Sequence, residues 1–228
     1  RSADKGATWT PAKLLQSTSL DSNIPRIVVD SKDNLHVVWH DRPEQGTNDW
    51  PTRYFHKKSS DGGLKWTPAA VVAKGRNGWM LDLAVDEADT LYLFTEFKNR
   101  ETDLALWCIT SANSGMSWTF NKVTTPAGSG LASAVIDKAG TVHLVYSRYS
   151  CPGKASRREV YYQKSFDQGK SWSAARRFCG FKAPANDIYN GGTPTPKIVQ
   201  DTNGRLYVLY DAKLDANYEV FYRASEDC

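Results

Sequence analysis

Ser59-Ser60-Asp61-Gly62-Gly63-Leu64-Lys65-Trp66 is one of four copies of a single pattern, S-x-[DN]-x-G-x-x-W; the others run from Ser2 to Trp9, Ser111 to Trp118 and Ser165 to Trp172. The chemistry is that of a stapled hairpin. A short carboxylate or amide bonds the backbone of its own turn, glycine takes a positive φ, and the tryptophan packs on the base of the hairpin. These residues are read as structural.

A second repeat surrounds the first. Ile24 to Asp30 followed by Leu35 to Trp39 is echoed by Leu81 to Asp86 with Leu91 to Phe94, by Ala132 to Asp137 with Val142 to Tyr146, and by Pro196 to Asp201 with Leu206 to Tyr210. In each copy the aspartate stands five residues before the apolar residue that opens the next run. Two β-rich runs joined by such short Asn, Asp or Gly segments read as hairpins, strands one and two of a unit. A third strand runs into each box, as in Arg53 to Lys57, and a fourth follows the box tryptophan, as in Trp66 to Val72.

The four boxes resemble the Asp-box, or BNR repeat, of sialidase-like β-propellers. The resemblance implies an all-β fold of four-stranded antiparallel blades in one domain, residues 1–228, with blades at about 24–72, 79–124, 131–177 and 194–228 plus 1–15. The chain opens with a box and a fourth strand and ends just after a third strand. The N-terminal strand is therefore expected to close the last of four blades and remove two sheet edges. Such boxes occur in glycosidases, lyases, lectins and assembly factors, so the resemblance names a scaffold rather than a reaction.

Composition narrows the function further. A net charge of +4 from 29 basic and 25 acidic residues, with no long run of like charge, gives little support to nucleic-acid or membrane-surface binding. There is no apolar run long enough for a transmembrane helix, so no membrane insertion is expected, and the start at Arg1-Ser2 reads as a mature or excised form. Cys108, Cys151, Cys179 and Cys228 lack zinc-site spacing; Cys151 with Cys179 is the expected disulfide and Cys108 an expected buried free thiol. No nucleotide, zincin or hydrolase motif is present, and no cofactor or metal is expected.

In a four-stranded meander the boxes and the one-to-two hairpins share one end of the blade, so the two-to-three and four-to-one loops converge at the other, which is the candidate site. Trp50, Trp79, Tyr149 and Tyr189 are candidate stacking platforms for a sugar ring, with Asn23, Asn77 and Asn190 as nearby amides; the same rings would serve equally to plug the mouth of the ring. Asp41, Glu96 and Asp211 read as equivalent ends of strand two. They would supply the two carboxyls of a glycosidase, or sit as solvated ion pairs with Arg42, Lys98 and Lys213. Sialidases of this fold carry Arg-Ile-Pro at the start of strand one; here the stretch is Asn23-Ile24-Pro25, and the arginine that would grip a substrate carboxylate is absent. His36 and His143 share a repeat position with Tyr92 and Tyr207 and read as packed rings rather than metal ligands; His40 and His56 have no partner at ligand spacing.

The expectation is a secreted or cell-surface propeller that binds carbohydrate or glycoconjugate in a lectin-like manner through its loop-rich face, with other domains of a larger protein as further candidate partners. The alternatives are a sialidase-like glycoside hydrolase or polysaccharide lyase using Asp41, Glu96 or Asp211 with Tyr149 and Arg148, and a protein-binding module.

Overall fold

A computed structural model of the chain describes residues 1–16, 20–42, 51–98, 105–123, 129–150, 157–182, 195–214 and 217–225. The described residues are all-β. Fourteen strands follow in order: β1 (Asp21–Val29), β2 (Leu35–Arg42), β3 (Pro51–Ser59), β4 (Ala70–Val85), β5 (Leu91–Lys98), β6 (Ala105–Ser111), β7 (Thr119–Lys122), β8 (Ser129–Ile136), β9 (Val142–Ser150), β10 (Arg157–Ser165), β11 (Arg176–Lys182), β12 (Lys197–Gln200), β13 (Leu206–Leu214) and β14 (Asn217–Ala224). Every pairing is antiparallel between chain neighbours, as short hairpin connections require.

The strands group into four meanders, here called blades. β4 belongs to two of them. Its first half pairs with β3 and its second with β5, so blades one and two share a seven-stranded sheet. The sequence reading placed a four-to-one loop at Asn77; the backbone instead passes through as a bulged strand, with Asn77 at φ 53° and a register shift between Arg76 and Trp79. Gly75 and Gly78 make this possible, because a Cβ on Gly78 would run into the Tyr54 hydroxyl and one on Gly75 into the Phe97 ring. Blade three is the sheet β11-β10-β9-β8 and blade four the three-stranded sheet β12-β13-β14.

The expected closure by the N-terminus does not occur. Residues 1–16 carry no strand pairing and lie on blade one instead: Arg1 Nη1 donates to the Gly62 carbonyl (3.2 Å), Lys57 Nζ donates to the Leu15 carbonyl (2.7 Å), and Leu15 packs on the core of blades one and two. The sheets therefore do not close into a ring.

The box chemistry is as read. Ser59 Oγ donates to Asp61 Oδ1 (2.9 Å) and accepts from Gly63 N (2.8 Å), while Lys65 N donates to Asp61 Oδ1 (2.8 Å). The hairpin aspartates work alike. Asp30, Asp86, Asp137 and Asp201 accept on one oxygen from a backbone N–H of their own turn. The other oxygen meets the second residue of strand two: His36 Nε2 (3.2 Å), Tyr92 Oη (2.9 Å), His143 Nε2 (3.1 Å) or Tyr207 Oη (3.1 Å). This explains why histidine and tyrosine interchange there, since each places a donor at the same reach. His56 packs against the same histidine position: its Nε2 lies 3.0 Å from His36 Nδ1.

The core lies between blades, in three clusters centred on Val38, Leu93 and Phe97, on Phe94, Leu106 and Leu144, and on Val160, Ile198 and Val208. Cys108 is buried and free, as expected; Cys151 and the Cys179 side chain lie outside the described residues. Among the described residues no helix is long and apolar enough to cross a membrane.

Candidate functional site

Counting from the residue that opens strand two, His40, Glu96, Ser147 and Asp211 occupy one position at its far end, each five residues after Leu35, Leu91, Val142 or Leu206. This corrects the sequence reading, which paired Asp41 with Glu96 and Asp211. Side chains alternate along a strand, so Asp41 points to the opposite face from His40.

His40 is fully buried. Its ring tilts against Tyr54 (centroids 6.0 Å apart) and meets Trp79 edge-on (6.2 Å), and among the described residues neither ring nitrogen has a hydrogen-bond partner. Burial, helped by the nearby Arg42 charge, holds its pKa down to about 4.

Glu96 is 5% exposed, and its Oε1 lacks a hydrogen-bond partner among the described residues. Burial alone pushes its pKa up to about 8. A carboxyl taken out of water without a cation or donor prefers its neutral form. The expected solvated ion pair with Lys98 is therefore not what holds it.

Trp79 is the Cα partner of Glu96 across β4 and β5 and is 38% exposed. The Arg42 guanidinium lies 4.9 Å from its ring centroid, a cation–π contact that fixes both side chains at the edge of the site. Beneath it, Gly78 N donates to Thr52 Oγ1 (3.0 Å) and Thr95 Oγ1 donates to the Trp79 carbonyl (2.8 Å). Tyr54 Oη donates to the Glu96 carbonyl (3.2 Å), so the residues around the acid are tied to one another through backbone and ring.

Asp41 is fully buried and is not the solvated partner of Arg42. Its Oδ1 accepts from Ser22 Oγ (2.7 Å) and Trp39 Nε1 (3.0 Å), and its Oδ2 has no partner among the described residues. Asp211 is half-buried and engaged, accepting from Thr195 N (2.7 Å) and Thr195 Oγ1 (2.8 Å). Asn23 is half-buried at a β1 bulge, opposite His40. The next residue, Ile24, has φ 49°, a conformation that a β-branched side chain adopts only when its packing holds it there. Trp50, Tyr189 and Asn190, and the side chains of Arg148 and Tyr149, lie outside the described residues.

Two residues were not among the site residues expected from the sequence. His40 was legible by counting along strand two. Glu159, 5% exposed, accepts from Tyr161 Oη (2.6 Å) and Arg177 Nη1 (3.0 Å) and stands opposite Arg148 in register; no sequence signal marks it.

Chemically, the residues about Trp79 offer a buried carboxyl that favours its neutral form, an exposed indole and a guanidinium held over it, while the buried carboxyl of Asp41 stands on the opposite face of β2 from His40. No group of three metal-ligating side chains occurs among the described residues.

No protein-family model matches the chain, and no curated protein matches it. Solved structures do. A Hadza microbial sialidase superposes with a TM-score of 0.69 at 17% identity, over 99% of this chain and 49% of that one. The α-L-arabinofuranosidase Arb93A of Fusarium graminearum, with an iminosugar inhibitor, gives 0.60 at 18% identity over 90% and 63%. A thermostable family-43 glycoside hydrolase gives 0.57 at 13% identity over 90% and 69%. The chain spans from about half to about two thirds of the length of these structures. At such identities the likeness is one of fold: the chain shares the bladed, all-β architecture of these β-propeller structures.

Proposed function

We propose that this chain forms part of a glycan-processing site of the glycoside hydrolase type, with Glu96 as proton donor. The observation that carries the reading is Glu96, buried beside an exposed tryptophan with a bare carboxyl oxygen and a pKa raised to about 8. An acid that keeps its proton at neutral pH is what protonation of a glycosidic oxygen requires. No second carboxyl is assigned: Asp41 has a bare Oδ2 but lies on the face of β2 turned away from His40, Thr195 occupies Asp211, and Arg177 and Tyr161 occupy Glu159. The likeness of fold to a sialidase and an arabinofuranosidase supports a carbohydrate substrate. Asn23 in place of an arginine argues for a sugar without a carboxylate.

The four turns are read as Asp-boxes with a structural role, and a secreted or cell-surface location belongs to the same reading. Hydrolysis of a panel of aryl glycosides, compared between the chain and Glu96→Gln, tests it. Turnover that disappears in a folded Glu96→Gln supports the assignment; turnover that persists removes it.

Lectin-like binding is the second reading, favoured by the exposed Trp79 ring under Arg42. It predicts saturable glycan binding that Trp79→Ala weakens, with no turnover in any variant.

A further inference from the structure

The four residues at the shared far-end position of strand two differ in how their polar atoms are met. Ser147 Oγ donates to the Leu131 carbonyl (3.4 Å), and Asp211 accepts from Thr195 N (2.7 Å) and Thr195 Oγ1 (2.8 Å). His40 and Glu96 have no such neighbour. Both ring nitrogens of His40 and Oε1 of Glu96 are buried without a hydrogen-bond partner among the described residues. Buried polar atoms left bare are costly and uncommon in folded proteins. Their occurrence at equivalent positions on adjacent blades points to a ligand rather than to packing.

Both side chains border Trp79. It meets the His40 ring edge-on, centroids 6.2 Å apart, and stands directly across from Glu96 in the β4–β5 ladder, where opposed side chains share a face. Tyr54 ties the two from another side. It is the ladder partner of His40 on β3, its ring centroid lies 6.0 Å from that of the imidazole, and its Oη donates to the Glu96 carbonyl (3.2 Å). The backbone at Trp79 is pinned, since Thr95 Oγ1 donates to its carbonyl (2.8 Å) and Gly78 N donates to Thr52 Oγ1 (3.0 Å). Its indole is 38% exposed and is held by the Arg42 guanidinium. The indole, not the backbone, is the part that can tilt.

A neutral imidazole has one donor and one acceptor, and a neutral carboxyl can both give and accept a hydrogen bond. Burial keeps both groups uncharged at neutral pH, with the His40 pKa lowered to about 4 and that of Glu96 raised to about 8. The pair is matched by two neighbouring oxygens of an uncharged sugar.

We infer, on the glycan-site reading given above, that His40 is a substrate-binding residue: a sugar stacked on Trp79 tilts the indole off the imidazole, sets its glycosidic oxygen on Glu96 and sets the hydroxyl next to the anomeric carbon on His40. The site therefore selects uncharged sugars that carry a hydroxyl there.

Binding titrations with methyl xyloside, methyl galactoside and methyl arabinofuranoside test this, each beside its counterpart lacking that hydroxyl. They compare the parent chain with His40→Phe, which keeps a flat ring between Tyr54 and Trp79. In the parent, loss of the hydroxyl should weaken binding at least about tenfold; His40→Phe should do the same, and the deoxy sugar should bind both chains alike. Discrimination that survives in a folded His40→Phe overturns the assignment. So does a parent chain that binds none of the sugars, or that binds each deoxy sugar as well as the full one. If His40→Phe does not fold, the nitrogen NMR signals of the His40 ring in the parent decide: a saturating sugar should shift them and its deoxy counterpart should shift them less, and an unmoved ring overturns the assignment. Aryl glycoside turnover measured in parallel keeps this apart from the role of Glu96. Discrimination through His40 without turnover supports the binding role and removes the proton donor, whereas turnover indifferent to the hydroxyl and to His40→Phe overturns the binding role alone.

Discussion

At the scale of single residues, the proposed chemistry and its pH range rest on Glu96. Because burial raises its pKa from 4.5 to about 8, it can donate a proton through the neutral range and stops doing so above about 8. Activity should therefore fall on the alkaline side through about pH 8, and a pH–rate profile without an alkaline limb would show that another group gives the proton. The same shift has a consequence for stability. A carboxyl whose folded pKa exceeds its unfolded value contributes stability that is fully present below pH 4.5 and is lost as pH rises through about 8. Relative to Glu96→Gln, the parent chain should become less stable across that window in denaturant titrations; parallel curves would mean that Glu96 is solvated. The chain also shows why the pairing of carboxyls was misread. Asp41 and His40 are sequence neighbours, but alternation along a strand turns one inward to Trp39 and Ser22 and the other to Trp79. A rank of acidic residues at loop entrances carries no such sign unless each is counted from the start of its strand.

At the scale of the element, the box turn combines a side-chain staple with a glycine that no other residue replaces well. Asp61→Ala leaves Lys65 N and Leu64 N without their acceptor, and a loss of roughly 1 to 3 kcal/mol is expected in chemical denaturation. An unchanged midpoint would assign the aspartate another role. Gly115→Ala should cost more than a surface substitution, roughly 1 to 3 kcal/mol from overpacking, since φ is +85° and the added Cβ would press on His56. The comparison with Gly140→Ala separates the two causes, because Gly140 has φ +80° with nothing within 4 Å. Equal losses at both sites would leave backbone strain as the whole effect. Strand order, the hairpins and the boxes were all legible from periodicity and turn chemistry, because each is fixed within about a dozen residues. The seating of a box glycine on the third strand of the preceding blade was not. It depends on contacts some sixty residues apart, as Gly115 with His56 or Gly169 with Cys108, and only a packed structure reveals them.

At the scale of the whole molecule, the interfaces between blades hold buried histidines that make the fold sensitive to acid. Burial lowers the pKa of His40 and of His56 from 6.5 to about 4. The unfolded chain therefore takes up protons that the folded chain refuses, so stability is full above pH 6.5 and falls as pH drops toward 4. His56→Phe should flatten part of that slope in melting curves taken between pH 7 and about 4; a slope that does not change would place the acid sensitivity elsewhere. The arrangement of blades was legible in the repeat, but the closure expected of it was not, because the sequence repeats identically whether the last interface is filled by the chain itself or left open.

The measurement that bears most directly on the central claim is release of the aryl alcohol from a panel of neutral aryl glycosides by the chain and by Glu96→Gln, with glycan binding followed in parallel. The account predicts turnover by the parent chain that falls through about pH 8 and is abolished in Glu96→Gln, while binding to the Trp79 face persists in the variant. Binding without turnover in the parent chain, or turnover undiminished in a folded Glu96→Gln, would contradict it.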